Sequence, residues 1–264
     1  MQSEWRGQWA LVTGASAGIG AALAKELAAG GAHLVLTARR RDRLEQLSRE
    51  FRGAYGIETQ VCVADLAEPD APDKLYAFVR EKQLAVDLLI NNAGFGQYGE
   101  LSEVRTQRLV EMVQVNCAAV VHLTRLFLPD MIARRRGDVL IVTSTAAFQA
   151  VPYISTYAAT KAFDLFFAEG LAEEMKPYGI RVCALCPGST ESEFHAIAGQ
   201  EQFTSNHPES AEKVARTGLE ALAAQKSYVI SGLGNYLGAH LQRFVPRRMV
   251  TRIAANMFRP GKKV

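Results

Sequence analysis

The sequence predicts a doubly wound α/β fold, a parallel sheet with helices on both faces, and three observations carry that expectation. Short, apolar, β-rich runs alternate with longer helical patterns from one end of the chain to the other. The runs are apolar at successive positions rather than at every second one, as strands covered by helices on both sides must be. No repeat or linker interrupts the 264 residues, so 1–264 is expected to form one domain.

The elements follow in order. Runs at 10–12, 34–36, 61–63, 88–90, 139–142 and 182–185 read as buried strands joined by crossover helices. A helix over 21–29 is rich in strong helix formers and should stop at Gly30 and Gly31, where a left-handed cap costs little. The most apolar helical segment, 117–133, carries His122, Arg125 and Asp130, so no uninterrupted apolar stretch approaches the length of a membrane span. Residues 191–210 are polar, broken by Gly199, and read as a mobile lid over a substrate site. Pro208 then precedes an N-cap at Ser210 for a helix running to Ala224, and 232–264 forms a basic C-terminal helical extension.

Hydrophobic residues make up 48% of the chain and charged residues 22%, an ordinary balance for a globular domain with a full core. Residues 1–8 hold charges and lead straight into an apolar strand, which leaves no room for a secretion signal; a cytoplasmic setting is expected. The four cysteines, Cys62, Cys117, Cys183 and Cys186, then read as small buried hydrophobes without disulfides. Net charge is only +3, but no acidic residue follows Glu220, whereas Lys226, Arg243, Arg247, Arg248, Arg252, Arg259, Lys262 and Lys263 are basic.

Chemistry first shows after the first strand, in Thr13-Gly14-Ala15-Ser16-Ala17-Gly18-Ile19-Gly20. A glycine-rich turn feeding a helix lets backbone N–H groups and the helix dipole approach a pyrophosphate. Dinucleotide sites that read NAD place a carboxylate at the end of the second strand for the ribose 2′-OH. Here Ala38 stands there, followed by Arg39, with Arg40 and Arg43 near; a guanidinium pairs with a 2′-phosphate, so NADP(H) is expected. Arg41 reads as a solvated helix start.

Tyr157 and Lys161 are four apart on one helix face. Taken alone they are an ordinary surface pair. Their neighbour Ser144 ends the fifth strand, at the sheet edge where open α/β folds bind ligands. A phenol titrates near 10, and the charge of Lys161 would favour its phenolate, making Tyr157 the proton donor and acceptor and Ser144 the partner of a substrate oxygen.

The TGxxxGxG spacing at Gly14, Gly18 and Gly20 resembles the short-chain dehydrogenase/reductase family, and the resemblance runs from about residue 9 to about 190. It implies a Rossmann-type fold and a cofactor site made of Gly14, Ser16, Ala17, Gly18, Ile19, Gly20, Arg39, Arg40, Asp65, Leu66, Asn92, Ala93, Gly94, Tyr157, Lys161, Pro187, Gly188 and Thr190. Ala17 departs from the Lys or Arg of many NADP-dependent members, which puts more of the selectivity on Arg39. The resemblance adds Asn116 to Ser144, Tyr157 and Lys161, holding a water that joins the lysine to solvent. The implied reaction is hydride transfer between the nicotinamide and a carbonyl carbon while Tyr157 handles the proton. A homodimer or homotetramer is implied as well.

The expected function is therefore NADP(H)-dependent oxidation or reduction of a small-molecule alcohol or carbonyl, mainly reduction. Phe95, Tyr98, Phe148, Tyr153 and Phe194 are expected to border the pocket and to suit a fairly apolar substrate. The alternatives are a 3-ketoacyl-thioester reductase, in the branch with steroid reductases that the chain resembles, and a non-catalytic NADP(H) sensor on the same fold. Cys183 and Cys186 have CxxC spacing but lie in a buried strand with no second ligand pair, so no metal is expected. Among the scattered histidines, His33, His122, His195, His207 and His240, His195 is in the lid. Leu237, Leu241, Phe244, Val245, Met249, Val250 and Ile253 give an amphipathic tail read as core packing and subunit contact; a membrane surface or an acidic carrier protein is the rival partner. Nucleic acid is not expected, since no recognition motif accompanies the charge.

Overall fold

The computed structural model describes residues 4–199 and 208–260; His207, Lys262, Lys263 and residues 200–207 of the expected lid lie outside them, as does the side chain of His195. Seven parallel strands form one sheet in the order β3-β2-β1-β4-β5-β6-β7. They are β1 (Trp9–Thr13), β2 (His33–Ala38), β3 (Thr59–Val63), β4 (Val86–Asn91), β5 (Gly137–Val142), β6 (Ile180–Cys186) and β7 (Tyr228–Ile230). The first six match the expected strands. The seventh, three residues paired with β6 at the edge, is too short to stand out as a periodic signal.

Successive strand residues point to opposite faces, and both faces are covered. Leu11, Leu89, Ile141 and Ala184 pack with α3 (Ala71–Glu81), α5 (Ala119–Arg134) and α6 (Ser155–Met175). Val12, Leu88, Ile90, Leu140 and Leu185 pack on the other side with α1 (Gly18–Ala29), α2 (Arg41–Tyr55) and α8 (Ala211–Ala223). β1 lies between β2 and β4, so the chain winds outward in both directions from it. The carboxyl ends of β1 and β4 thus border the switch-point crevice that open α/β sheets use for ligands.

Several local signals hold. α1 ends at Gly30, and Gly31 takes φ +86°. Ser210 caps α8 by accepting from the Lys213 N–H at 3.3 Å. α1 begins three residues before the expected start because Gly18, Ile19 and Gly20, weak helix formers, already belong to its first turn.

Two expectations change. α4 (Thr106–Val113), a π-helical turn (Gln114–Ala118) and α5 join into one stretch of 29 residues, Thr106–Arg134, in which an 18-residue window of mean hydropathy 1.2 suffices by length and composition to cross a membrane. Half of that apolar window is buried, with α5 against α3, β4 and β5, which is the setting of a core helix. The tail forms α9 (Leu233–Leu241) and α10 (Arg247–Phe258), following the short α7 (Phe194–Ala198) of the lid. Leu237, Leu241, Phe244, Met249 and Ile253 are exposed, so core packing is not what that stripe does; only Ala239 and Ala254 of the two helices are buried.

Candidate active site

A cleft of about 680 Å³ opens over the carboxyl ends of β1, β4 and β5. One wall is the glycine turn. Gly14 and Gly18 hold φ +66° and +54°, conformations that glycine adopts without a Cβ penalty. Gly20 lies behind that wall: a Cβ there would sit 2.4 Å from Asn92 Nδ2 and from the Gly14 carbonyl oxygen. Asn92 braces the turn by donating to the Thr13 carbonyl at 2.8 Å, while Thr13 Oγ1 accepts from the Asn92 and Ala93 N–H groups at 2.9 Å each. Ala17, the N-cap of α1, offers no side-chain acceptor, so no side chain caps the helix start that faces the cleft beside Ser16, Gly18 and Ile19. Such a start is built to receive an anion.

Beyond β2 the cleft is lined by Arg39, Arg40, Asp65 and Leu66. Arg39 lies 3.8 Å from Asp65. Arg40, not Arg39, joins the glycine turn: its Nε and Nη2 donate to Ser16 Oγ at 3.2 and 3.1 Å. Glu193, which sequence reading passed over, binds Arg40 at 2.7 Å and Arg43 at 2.6 Å. Those two guanidiniums, Arg43 foremost, hold its carboxyl below the usual range. They also hold the described residues of the 191–210 segment against the cleft, together with the Tyr98 N–H donating to the Ala198 carbonyl at 2.9 Å.

The opposite wall holds Ser144, Tyr157 and Lys161, with Gly94, Pro187, Gly188 and Thr190 between the two ends. Ser144 Oγ accepts from the Ala146 N–H at 3.1 Å and lines the cleft beside Tyr157. Tyr157 is buried, 5.2 Å from the Phe194 ring. Burial pushes its phenol above the ordinary value, although Lys161 and Ser144 pull it down. Desolvation of a phenolate in this apolar setting thus opposes the favourable charge of Lys161.

Lys161 Nζ donates to the Val142 carbonyl at 2.8 Å and to Asp164 Oδ2 at 3.0 Å. Burial works against its charge, but Asp164 and Tyr157 more than offset this, and its ammonium is held above the usual lysine range. Asn116 stands behind the wall in the π-helical turn. It donates to the Phe95 carbonyl and to Thr160 Oγ1, both at 3.0 Å, and accepts from the Phe95 N–H at 3.1 Å.

Of the aromatic residues expected at the pocket, Phe95 and Phe194 line it, joined by Arg108, Ile154, Ile197 and Phe258. Phe148 instead packs against Tyr228, Tyr153 borders a separate depression, and Tyr98 turns its hydroxyl to the Phe258 carbonyl at 2.8 Å. Arg108 lies over the Phe95 ring at 3.9 Å. Among the described residues no cluster of His, Cys, Asp or Glu is placed to hold a metal. All four cysteines are free thiols.

The pattern of the short chain dehydrogenase family matches residues 8–202. A very-long-chain 3-oxoacyl-CoA reductase of Bos taurus is 36% identical over 187 residues, 69% of this chain and 59% of that protein. One from Mus musculus is 32% identical over 246 residues, 90% of this chain and 77% of the relative. The chain thus spans well short of the full length of these relatives. The solved structure of a short-chain dehydrogenase from Sphingobium yanoikuyae in complex with NADPH superimposes with a TM-score of 0.81 at 28% identity, over 97% of this chain and 98% of that one. With a matching family pattern over most of its length and relatives above 30% identity, this chain belongs to the short-chain dehydrogenase family.

Proposed function

We propose that this chain is an NADP(H)-dependent oxidoreductase that works mainly as a carbonyl reductase on a fairly apolar ketone or aldehyde. The observation that carries the reading is the placement of Ser144, Tyr157 and Lys161 in one cleft with the uncapped start of α1. The residues fit a dinucleotide: glycines where the turn is tight, a helix start for the pyrophosphate, and Arg39 and Arg40 for a 2′-phosphate. Bound there, the dinucleotide supplies the hydride from its nicotinamide.

The chain supplies the proton and the field. The raised phenol of Tyr157 stays protonated at neutral pH and gives its proton to the substrate oxygen. Ser144 Oγ already accepts from a backbone N–H, so its own hydrogen is directed to that oxygen or to Tyr157. Lys161 stabilises the phenolate that forms, and Asn116 fixes the Phe95 backbone over the site. NADPH oxidation across a ketone panel, with Tyr157→Phe as control, tests the reading. Wild type and variant equally inactive while NADPH still binds would favour the sensor instead.

Within this reading, a 3-oxoacyl thioester is the substrate class favoured by the names of the relatives and by Arg108 among the apolar residues of the cleft. Relative kcat/KM on 3-oxoacyl-CoA and free ketones of equal chain length decides it. We also propose a cytoplasmic homo-oligomer. Four free thiols support the reducing compartment, and exposed Val110 and Val113 of α4 with Phe163 and Phe166 of α6 support self-association, which sedimentation velocity reads. The tail presents exposed Leu237, Leu241, Phe244, Met249 and Ile253 interleaved with arginines, a surface for anionic lipid; absence of sedimentation with anionic liposomes at low salt would remove that partner.

A further inference from the structure

We propose that Asp164 is a positioning residue of the catalytic group, clamping the Lys161 ammonium from the core side and balancing its charge so that Tyr157 remains an acid. Asp164 is fully buried one turn beyond Lys161 on α6. Its Oδ2 lies 3.0 Å from Lys161 Nζ, and its Oδ1 has no hydrogen-bond partner among the described residues. A buried carboxylate with an unsatisfied oxygen is costly to the fold. Its presence beside the one ammonium of the site therefore calls for a role beyond packing.

The geometry gives that role. Lys161 has three N–H donors; Val142 takes one and Asp164 a second, which leaves the third for the cleft, where Gly94 and Asn116 stand close. The side chain is thus fixed in direction as well as charge. The titratable groups around the pair are few: Tyr157 on α6, Cys117 on the π-helical turn, Cys186 on β6, and Glu169 of α6, which acts on Cys186. Burial pushes the Cys117 thiol up to about 12 and the Cys186 thiol higher still, so both are neutral; burial also raises the Asp164 carboxyl, opposed by the Lys161 ammonium 3.0 Å away, and that contact makes Asp164 the counter-charge of Lys161. By Coulomb's law the same carboxylate opposes formation of a phenolate at Tyr157.

This inference rests on the reading of Tyr157 as the proton donor, and its test separates the two. Asp164→Asn keeps an acceptor for Lys161 and removes the charge; Asp164→Leu removes both. In Asp164→Asn, which still accepts from Lys161, the alkaline limb of carbonyl reduction, followed as kcat/KM, should move down by about one pH unit, the order of shift expected from deleting a nearby buried charge. Asp164→Leu should lose turnover, because Lys161 is no longer fixed. Superimposable limbs in wild type and Asp164→Asn, or an upward move, would overturn the proposal. Tyrosinate absorbance, taken as the difference between each protein and its Tyr157→Phe counterpart, reads the same ionisation without turnover. If the wild type reduces no carbonyl, the proposed function fails, while the absorbance titration still decides the role of Asp164.

Discussion

The sharpest test of the cofactor end is to remove its two guanidiniums separately. Arg40 is 39% exposed and already engaged by Ser16 and Glu193, so it is oriented before a ligand arrives. A charge-assisted hydrogen bond from such a partly buried group to a 2′-phosphate contributes about 2 kcal/mol. Arg40→Ala should therefore weaken NADPH by roughly 30-fold at 1.4 kcal/mol per decade, and NADH by less than about twofold. Arg39 is 67% exposed, and solvent screens it more, so truncation alone should cost only about 1 kcal/mol. Arg39→Asp adds repulsion of the phosphate and a carboxylate for a ribose hydroxyl, which brings its swing in preference to about 2 kcal/mol as well. Calorimetric titration of both variants with NADPH and NADH, at low and at physiological salt, reads these numbers directly. Equal losses for the two cofactors would mean that the arginines hold the lid and not the phosphate. Unchanged NADPH affinity in both would refute the NADP(H) assignment.

Three further outcomes follow from the geometry. Tyr157→Phe should lower kcat for carbonyl reduction by about 10²- to 10⁴-fold, the usual contribution of a positioned acid, while NADPH affinity measured by fluorescence titration stays near wild type. Gly20→Ala forces its Cβ against Asn92 Nδ2 and the Gly14 carbonyl, each 2.4 Å away, so the Thr13–Asn92 brace must open. NADPH affinity should fall at least about tenfold, with about 1–3 kcal/mol lost from stability in thermal unfolding. At the far end of the sheet, buried Asp138 accepts from Trp5 Nε1 at 2.7 Å and pairs with Arg181. Asp138→Ala leaves Arg181 with Glu4 as its remaining partner and the Trp5 N–H without its acceptor, which should cost about 1–3 kcal/mol, a Tm drop on the order of 5 °C, without changing the Kd for NADPH.

What could be read from the sequence depended on whether spacing alone determines contact. The glycine turn was legible because a strand, a short turn and a helix leave Gly14, Gly18 and Gly20 one arrangement. Tyr157 and Lys161 were legible because an i, i+4 pair on a helix shares a face. The same logic marks Asp164, three residues beyond Lys161 in an otherwise apolar run, but spacing does not say which way the side chain turns. Direction also explains the aromatic residues. Phe148 and Tyr153 come from the loop after Ser144, yet one ring faces Tyr228 and the other sits on a residue with φ +68° that aims it elsewhere. Glu193 was hidden because its partners, Arg40 and Arg43, are about 150 residues away. For the tail, period located the apolar stripe, but period does not state what covers it.

The two ends of the cleft handle charge in opposite ways, and the difference decides which features of the site can change easily. At the cofactor end the ionic groups, Arg39, Arg40, Arg43 and Glu193, are each between 39% and 67% exposed. Water screens them, so each contributes modestly and can be exchanged with little effect on folding. At the catalytic end Lys161 and Asp164 are buried together, and removing either leaves the other as an uncompensated charge in the core. There the loss reaches several kcal/mol and falls on the fold as well as on the reaction. Cofactor preference is thus adjustable by surface substitution, whereas the acid–ammonium–carboxylate arrangement behind Tyr157 can change only as a unit. A lone substitution at Lys161 should therefore destabilise the chain more than its loss together with that of Asp164, a non-additivity that a double-mutant cycle in thermal unfolding would detect.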